Sequence, residues 1–377
     1  MNYLLFFLLA LAVSALLTPI MRDVAARRGF LDFPNQSRKI HNRPAALLGG
    51  VAIYLSFLIA ILVYLKLGAP NLNIVPLKFF CAIIFGGLIL IVGGILDDKY
   101  NLPPKILWLF PAIASAVVVW SGIGVGIKFL TNPFGGAPIF IGYHFQLSTF
   151  NLSLPAMLAW LWLMGMIFTT KFLDGLDGLC GGVAFIGGLT MFAISLTEKV
   201  NQPITASIAI IFSGAILGFL LYGFNPASIF LGESGSTFLG FMLGTLSVIL
   251  GAKIATALLV MGIPILDVAW VIIRRVWYHR SPFKGDRQHL HFRLLDIGLS
   301  QRQAVLVLYG ISAIFGLTAV FLQSMGKLIA LLLLSVVMLI LALTTVILYK
   351  RKHPHIPDLF EYAGSKGVDP VDETHQV

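Results

Sequence analysis

Charge is scarce in this chain. Only 11% of its 377 residues are Asp, Glu, Lys or Arg, while 58% are hydrophobic. Soluble domains carry about 25% charged residues, so a soluble globular fold is excluded. Cysteine is almost missing too. Cys81 and Cys180 stand far apart in apolar surroundings, which fits neither a disulfide framework nor a metal cluster. They read as free core thiols. No basic residue precedes the first apolar run and no A-x-A site follows it, so that run is expected to be a retained helix, not a cleaved signal peptide. No internal repeat is visible, which counts against an inverted-repeat transporter.

What fills the chain is a series of apolar runs near 20 residues long. Eleven spans are expected, over roughly 2–21, 47–66, 78–96, 105–122, 153–172, 178–197, 203–222, 235–251, 253–273, 303–323 and 327–349. The implied fold class is an all-α polytopic membrane protein. Residues 1–350 make the integral membrane domain, and the polar segment 351–377 is expected to be a disordered cytoplasmic tail. These spans put 20 of the 26 Lys and Arg residues on one side. That side is assigned to the cytoplasm, with the N-terminus outside and the C-terminus inside. The net charge of +10 is then mostly a topology signal, with some attraction to anionic lipid. It requires no nucleic-acid partner. Residues 124–151 fall outside, and the β-favouring runs around "NPFGG" predict a small extracytoplasmic β-hairpin.

The acidic residues are more informative. Asp97, Asp98, Asp174, Asp177, Glu233, Asp267 and Asp286 all fall on or near the cytoplasmic side. An unpaired carboxylate at mid-bilayer costs about 2.5–3.5 kcal/mol on insertion scales. Clusters from separate loops point to a shared polar cavity at the inner membrane surface, with ordinary helix-end charges in water as the plainer alternative.

Four stretches on that side could carry chemistry. "GGILDDKYNLPPK" (93–105) sets Asp97 beside Asp98, whose mutual repulsion suits a general base or a metal site. Lys105 follows, able to meet a phosphate. The plainer reading is a helix end and a turn, with Pro103 and Pro104 starting the next helix. "TTKFLDGLDGLCGG" (169–182) spaces Lys171, Asp174 and Asp177 three apart, one face of a helix. "DG" pairs are also common turn formers. "GFNPASIFLGESGSTFLGF" (223–241) puts Gly232, Gly235 and Ser236 before a helix, with Glu233 as a hard oxygen donor for a divalent cation. "RSPFKGDRQHLHFRLLDIGLS" (280–300) sets His289 and His291 two apart, on one side of an extended segment but not of a helix. Lys284, Arg287 and Arg293 add positive charge there. Together these supply carboxylates for a cation, cations for phosphates, and an apolar body around them. Joining a charged nucleotide to a lipid phosphate would need that combination.

In this order the segments "RKIHNRP", "LDDKYNLPPK", "DGLDGL", "FNPASIFLG", "PILDVAWVIIRR" and "SPFKGDRQHLH" resemble the polyprenyl-phosphate N-acetylhexosamine-1-phosphate transferases. Within that superfamily they resemble the UDP-GlcNAc branch rather than the muramoyl-pentapeptide branch. The resemblance implies that an undecaprenyl phosphate oxygen attacks the β-phosphate of a UDP-N-acetylhexosamine, releasing UMP and starting a cell-envelope polysaccharide. It implies Mg²⁺, or Mn²⁺ in its stead, a bacterial inner-membrane location with the active site on the cytoplasmic face, and it allows a homodimer. It assigns Asp97 and Asp98 to the lipid phosphate, with Asp97 as any base. It sets Asp174 and Asp177 beside the nucleotide and metal, and Glu233 with Asp174 as the metal carboxylates. Lys105, Lys171, Asn225, His289, His291, Arg287 and His41 fall in the substrate-binding segments.

The chain also departs from that pattern. The family usually has Asn where Lys171 stands and Asp where Glu233 stands. Its H-x-H-H motif ends here in Phe292, Leu47 replaces an arginine, and Pro111 stands where a glutamine is usual. Lys171 sits on the face of Asp174 and could occupy it as a salt bridge, a pairing the sequence leaves open. A catalytically impaired relative that binds polyprenyl phosphate or UDP-sugar is therefore the alternative to an active enzyme.

Overall fold

Long apolar runs fold as helices because a lipid-embedded backbone must satisfy its own hydrogen bonds. The computed structural model describes residues 2–34, 44–67, 76–127, 129–130, 132, 137–147, 150–251, 254–277, 289–322 and 324–352. Among them the order is α1 (Tyr3–Arg28), β1 (Leu31–Asp32), β2 (Ala45–Ala46), α2 (Gly49–Leu67), α3 (Leu77–Tyr100), α4 (Pro104–Leu107) and α5 (Leu109–Trp120). Then come β3 (Phe129–Leu130), β4 (Ile139–Phe140), β5 (His144–Leu147), β6 (Phe150–Ser153), α6 (Leu154–Leu173) and α7 (Leu179–Ser195). The chain continues with α8 (Pro203–Gly223), α9 (Gly232–Ile249), α10 (Ile254–Val260), α11 (Gly262–Trp277), α12 (Leu290–Asp296), α13 (Gln301–Phe321) and α14 (Ser324–Lys352).

Every expected span is occupied by helix, yet the spans are not equivalent. Seven helices are long and apolar enough to cross a membrane: α1, α2, α3, α6, α8, α13 and most of α14. The stretch Pro104–Trp120 and α7 are apolar but shorter. The expected ninth span is broken at Met261 into α10 and α11. Pro264 explains the break. Its ring denies a donor to the ladder and crowds the carbonyl four residues back, that of Val260, the last residue of α10.

The ends of these helices follow local rules. Asn2 caps α1 by accepting the Leu5 N–H at 3.2 Å, and the helix runs on past its expected end to Arg27 and Arg28. Cations favour a helix C-terminus, and Gly29 stops the helix in the left-handed region. Ser153 caps α6 through the Ala156 N–H, with Pro155 in the first turn. Ser300 and Gln303 form a reciprocal capping box on α13.

The hairpin expected around "NPFGG" is present as β3 paired with β4, Phe129 opposite Phe140. Two further hairpins, β1–β2 and β5–β6, were not legible in the pattern. Strands of two to four residues are too short for alternation to show. Residues 353–377, which contain nearly all of the expected tail, lie outside the described residues.

At the centre stands α9, buried along almost its whole length and packed by α2, α3, α6 and α7. Its first turn is gripped by small residues. A Cβ on Gly50 of α2 would overlap Gly235 backbone atoms, and one on Gly94 of α3 would overlap the Ser234 backbone. The preceding loop is strapped to the entry of α2. Phe230 N–H donates to the Ala46 carbonyl at 2.8 Å, and Gly49 and Gly50 N–H donate to the Phe230 and Leu231 carbonyls at 3.0 and 2.9 Å. Two aromatic polar groups inside the bundle find partners: Trp162 Nε1 donates to Ser247 Oγ at 2.8 Å and Tyr54 Oη to the Ile84 carbonyl at 2.9 Å.

This packing gives a stability test. Gly50→Ala forces backbone apart from backbone and is expected to cost about 1–3 kcal/mol or more, the range of an overpacked core. Gly310→Ala, exposed and with open space around it, should be neutral or stabilising by about 0.5–1 kcal/mol through helix propensity. Thermal melting of the purified pair in detergent measures both.

Candidate active site

Polar helix ends gather at one end of the bundle. These are the C-termini of α3, α6 and α8 and the N-termini of α7, α9 and α13, joined by the side-chain bonds that follow.

Asp97 and Asp98 are neighbours in sequence but serve different elements. Asp97 Oδ1 accepts the Leu102 N–H at 2.8 Å and its main-chain carbonyl accepts that of Asn101, so it closes α3. Asp98 reaches across to α9, where Oδ1 accepts the Glu233 N–H at 3.1 Å. It thereby caps a helix it does not belong to, where a carboxylate also meets the positive dipole end. Its second oxygen, Oδ2, is buried without a hydrogen-bond partner. Gly232 is required beside it: φ is +74°, and a Cβ there would lie 2.7 Å from that oxygen.

The 171–177 stretch corrects the expectation of one helical face. α6 ends at Leu173, with Asp174 as its cap residue, and residues 174–178 form a turn before α7. Gly178 opens α7 in the left-handed region, which "DG" chemistry favours over continued helix. Lys171 therefore does not settle on Asp174. Its Nζ lies 2.7 Å from Glu233 Oε1. Asp177 faces elsewhere: its Oδ2 accepts Asn225 Nδ2–H at 3.0 Å and the Ala227 N–H at 3.1 Å. Asn225 also donates to Gln301 Oε1 at 2.7 Å, and its carbonyl accepts Arg302 Nε–H at 2.9 Å. Asp177 and Asn225 thus tie the α6–α7 turn, the α8–α9 loop and α13 together. Tyr309 of α13 adds a bond from its hydroxyl to the Gly178 carbonyl at 2.5 Å.

Asp174 is accessible to solvent yet closely surrounded by protein, as a group on the wall of a concave recess must be. That crowding, then the Glu233, Asp98 and Asp177 carboxylates, push its pKa up to about 8.

The histidines form a second group. His289 is the extended residue just before α12 and His291 lies inside that helix, so the pair straddles a boundary. Their rings nonetheless stack, with centroids 5.6 Å apart and planes 2° from parallel. Phe172 of α6 also stacks with His289, centroids 6.1 Å apart. Asp267 of α11 holds the motif with both oxygens: Oδ2 lies 2.8 Å from His289 Nδ1, and Oδ1 accepts the Leu290 N–H at 2.8 Å. An ionised Asp267 assigns the proton to Nδ1 and leaves Nε2 as the free nitrogen. His291 is buried with its Nε2 unpartnered, pressed on Gly175 so closely that any Cβ there would collide with it. Burial pushes the His291 pKa down to about 4, against the opposing pull of Asp267.

Lys105 is exposed on α4. His41, Lys284 and Arg287 lie outside the described residues. Among the described residues, no three His, Cys, Asp or Glu side chains converge as a ready-made metal cage. Mg²⁺ commonly uses one or two carboxylates and takes its other ligands from water and phosphates. The residues present fit that pattern. Asp98, Asp174 and Glu233 approach one another closely enough to interact, with Lys171 paired to Glu233 and one buried Asp98 oxygen unpartnered. The recess therefore gathers more carboxylate oxygens than its one ammonium satisfies, and a divalent cation would use them.

Comparison with known proteins bears directly on this arrangement. The family model for glycosyl transferase family 4 matches residues 80–251. A Bacillus subtilis (strain 168) protein named "Probable undecaprenyl-phosphate N-acetylglucosaminyl 1-phosphate transferase" is 32% identical over 325 residues, covering 84% of each chain. The chain belongs to the polyprenyl-phosphate N-acetylhexosamine-1-phosphate transferase family. A decaprenyl-phosphate N-acetylglucosaminephosphotransferase of Mycolicibacterium smegmatis is 31% identical, covering 80% of this chain and 77% of its own. A phospho-N-acetylmuramoyl-pentapeptide-transferase of Staphylococcus aureus is 29% identical, covering 82% and 96%. Family membership thus rests on relatives spanning most of the chain.

Sequence reasoning missed four contributors: Asp267 as the anchor of His289, Phe172 as its stacking partner, and Gln301 and Arg302 as holders of Asn225. For Asp267 the signal was available, since a carboxylate inside the apolar run 262–273 needs a partner. The other three are ordinary helix-end residues whose role exists only in three dimensions.

His291 supplies a pH test with a definite sign. Its pKa is about 4 folded against an ordinary 6.5, so the unfolded chain binds the proton first. The stability this contributes is full above pH about 6.5 and is lost as pH falls through about 4. His291→Phe should flatten that acid limb. Melting midpoints between pH 7 and 4, compared for the two proteins, measure the difference.

Proposed function

We propose that this protein transfers an N-acetylhexosamine 1-phosphate, GlcNAc-1-phosphate foremost, from a UDP-sugar to undecaprenyl phosphate and releases UMP. The observation that carries the reading is the recess itself. Carboxylates from α3, the α6–α7 turn and α9 meet an ammonium and a histidine pair at one end of an apolar bundle. The names of the relatives support the same reaction. The excess of Lys and Arg on the recess side supports a cytoplasmic active site in a bacterial inner membrane, and starting a cell-envelope polysaccharide is the corresponding role.

In this reaction an oxygen of the lipid phosphate bonds to the β-phosphorus. The bond from that phosphorus to the bridging oxygen breaks, and UMP leaves carrying that oxygen. A phosphate monoester has its second pKa near 6, so little base is needed. Any remaining proton would go to Asp97 Oδ2, since Oδ1 is held by Leu102. Asp98 fixes the first turn of α9, and with it Glu233. Asp177 and Asn225 hold the walls in register. His289, oriented by Asp267, presents Nε2, and Lys171 and Lys105 provide cations for phosphate. Mg²⁺, or Mn²⁺ in its stead, would be held by Glu233 and Asp174 and would neutralise charge on the diphosphate.

One observation favours a second reading, a relative that binds these ligands without turnover: Lys171 already occupies Glu233 Oε1. UMP release from purified protein given undecaprenyl phosphate, UDP-GlcNAc and Mg²⁺ separates the two. Metal-dependent UMP is expected, with Asp98→Asn lowering kcat at least 100-fold, as loss of a residue that positions the site commonly does. No UMP from the natural protein, but UMP from a Lys171→Asn, Glu233→Asp double variant, would establish the non-catalytic reading.

A further inference from the structure

Lys171 of α6 and Glu233 of α9 come from separate helices and touch each other inside the recess. The ammonium sits 2.7 Å from Oε1, with the Lys171 side chain 24% exposed and that of Glu233 13%.

We propose that Lys171 is a built-in rival of the divalent cation: its ammonium holds Glu233 until metal displaces it, and it then turns to a phosphate of the bound nucleotide. The inference rests on the nucleotide–metal reading given above and assigns this chain a coupling that the reading alone does not contain.

Mg²⁺ takes carboxylate oxygen at about 2.0–2.1 Å. An ammonium hydrogen-bonded to the same carboxylate would then lie a few ångströms from the metal, where like charges in a partly desolvated recess repel strongly. The two cations cannot share Glu233 without large loss. Lys171 is free to leave because its anchor is the last turn of α6 and its stem is flexible. Asp174, three residues on in the chain, is itself a metal carboxylate in this reading. What remains within reach is the anion that the recess receives. The longer Glu at position 233 extends the carboxylate on one more methylene than Asp would. Metal binding therefore releases a cation for the nucleotide, and by linkage the nucleotide strengthens metal binding by the same factor.

The test uses full-length protein in nanodiscs, with Mn²⁺ binding read from the paramagnetic resonance of free Mn²⁺, with and without UDP-GlcNAc. Without nucleotide, Lys171→Met is expected to bind Mn²⁺ at least about fivefold more tightly than wild type, the low end of site-to-site coupling. The tightening of Mn²⁺ by UDP-GlcNAc should shrink by the same factor. Lys171→Arg should keep the wild-type pattern. Lys99→Gln should keep it too, since that ammonium lies over the Phe30 and Tyr100 rings, and its removal controls for charge alone. Lys171→Gln replaces the Met variant if the latter does not melt like wild type. Should wild type bind Mn²⁺, Glu233→Gln fail to, and Lys171→Met bind no more tightly than wild type, the rivalry is overturned while the metal site stands. If neither wild type nor any Lys171 variant binds Mn²⁺, with or without nucleotide, the metal site and the rivalry fall together.

Discussion

The close approach of the first turn of α9 to α2 and α3 is the constraint on which the rest depends. A side chain on Gly50 or Gly94 would collide with the Gly235 or Ser234 backbone. Only at that separation can Asp98 of α3 cap the Glu233 N–H, and only then does the Glu233 carboxyl lie where Lys171 of α6 can reach it. A helix end in a membrane protein is a place of unsatisfied donors. Here a neighbouring helix satisfies them, so the local need of α9 becomes the device that assembles the recess.

The same economy recurs around the recess. Asp177 satisfies an amide N–H and a main-chain N–H of the α8–α9 loop. Asp267 satisfies an imidazole and a main-chain N–H at the start of α12. In each case one carboxylate fixes both a side chain and the backbone that carries it, which holds a site more rigidly than a side-chain bond alone. Asp97 and Asp98 divide the same labour between two elements. Of the seven acidic residues that drew attention in the sequence, Asp97, Asp177 and Asp267 have clear structural duties of this kind. Asp98 has one such duty and a spare buried oxygen. Asp174 is accessible, its pKa raised by the surrounding protein and then by three carboxylates. Glu233 in turn carries the ion pair with Lys171.

How much of this was legible before the structure follows from what each feature depends on. Helix positions were legible because burial in lipid or among other helices imposes long apolar runs, and all of the expected spans hold helix. The break at Met261 was written in Pro264, but a run of apolar residues hides it when hydropathy alone is followed. The clustering of carboxylates was legible from their common side. Their partners were not. Three-residue spacing put Lys171 and Asp174 on one face, yet α6 stops at Leu173 because glycines at 175 and 178 favour a turn. The Lys171 ion pair went to α9, 62 residues away, where no local rule could send it. Likewise "H-x-H" spacing argued for an extended segment. A helix starting between the two histidines still stacks their rings, because Phe172 and Gly175 bound the slot from outside the motif.

The last consequence concerns why an ammonium can sit among carboxylates without closing the site. A partly exposed ion pair contributes little net stability, since solvent screens it and two side chains must be ordered to form it. Lys171 is the more exposed partner and Glu233 the more enclosed, so the ammonium can leave toward a ligand while the carboxylate stays in place. A fully buried pair would leave an uncompensated charge when broken and would cost several kcal/mol. The recess thus keeps its most mobile positive charge where it can be exchanged and keeps its fixed carboxylates on helix ends where they cannot move. A site that must admit a highly charged nucleotide beside a lipid phosphate, and release a charged product, is served by that division. Rigid acceptors define where the charge goes, and one weakly held cation adjusts the balance as ligands come and leave.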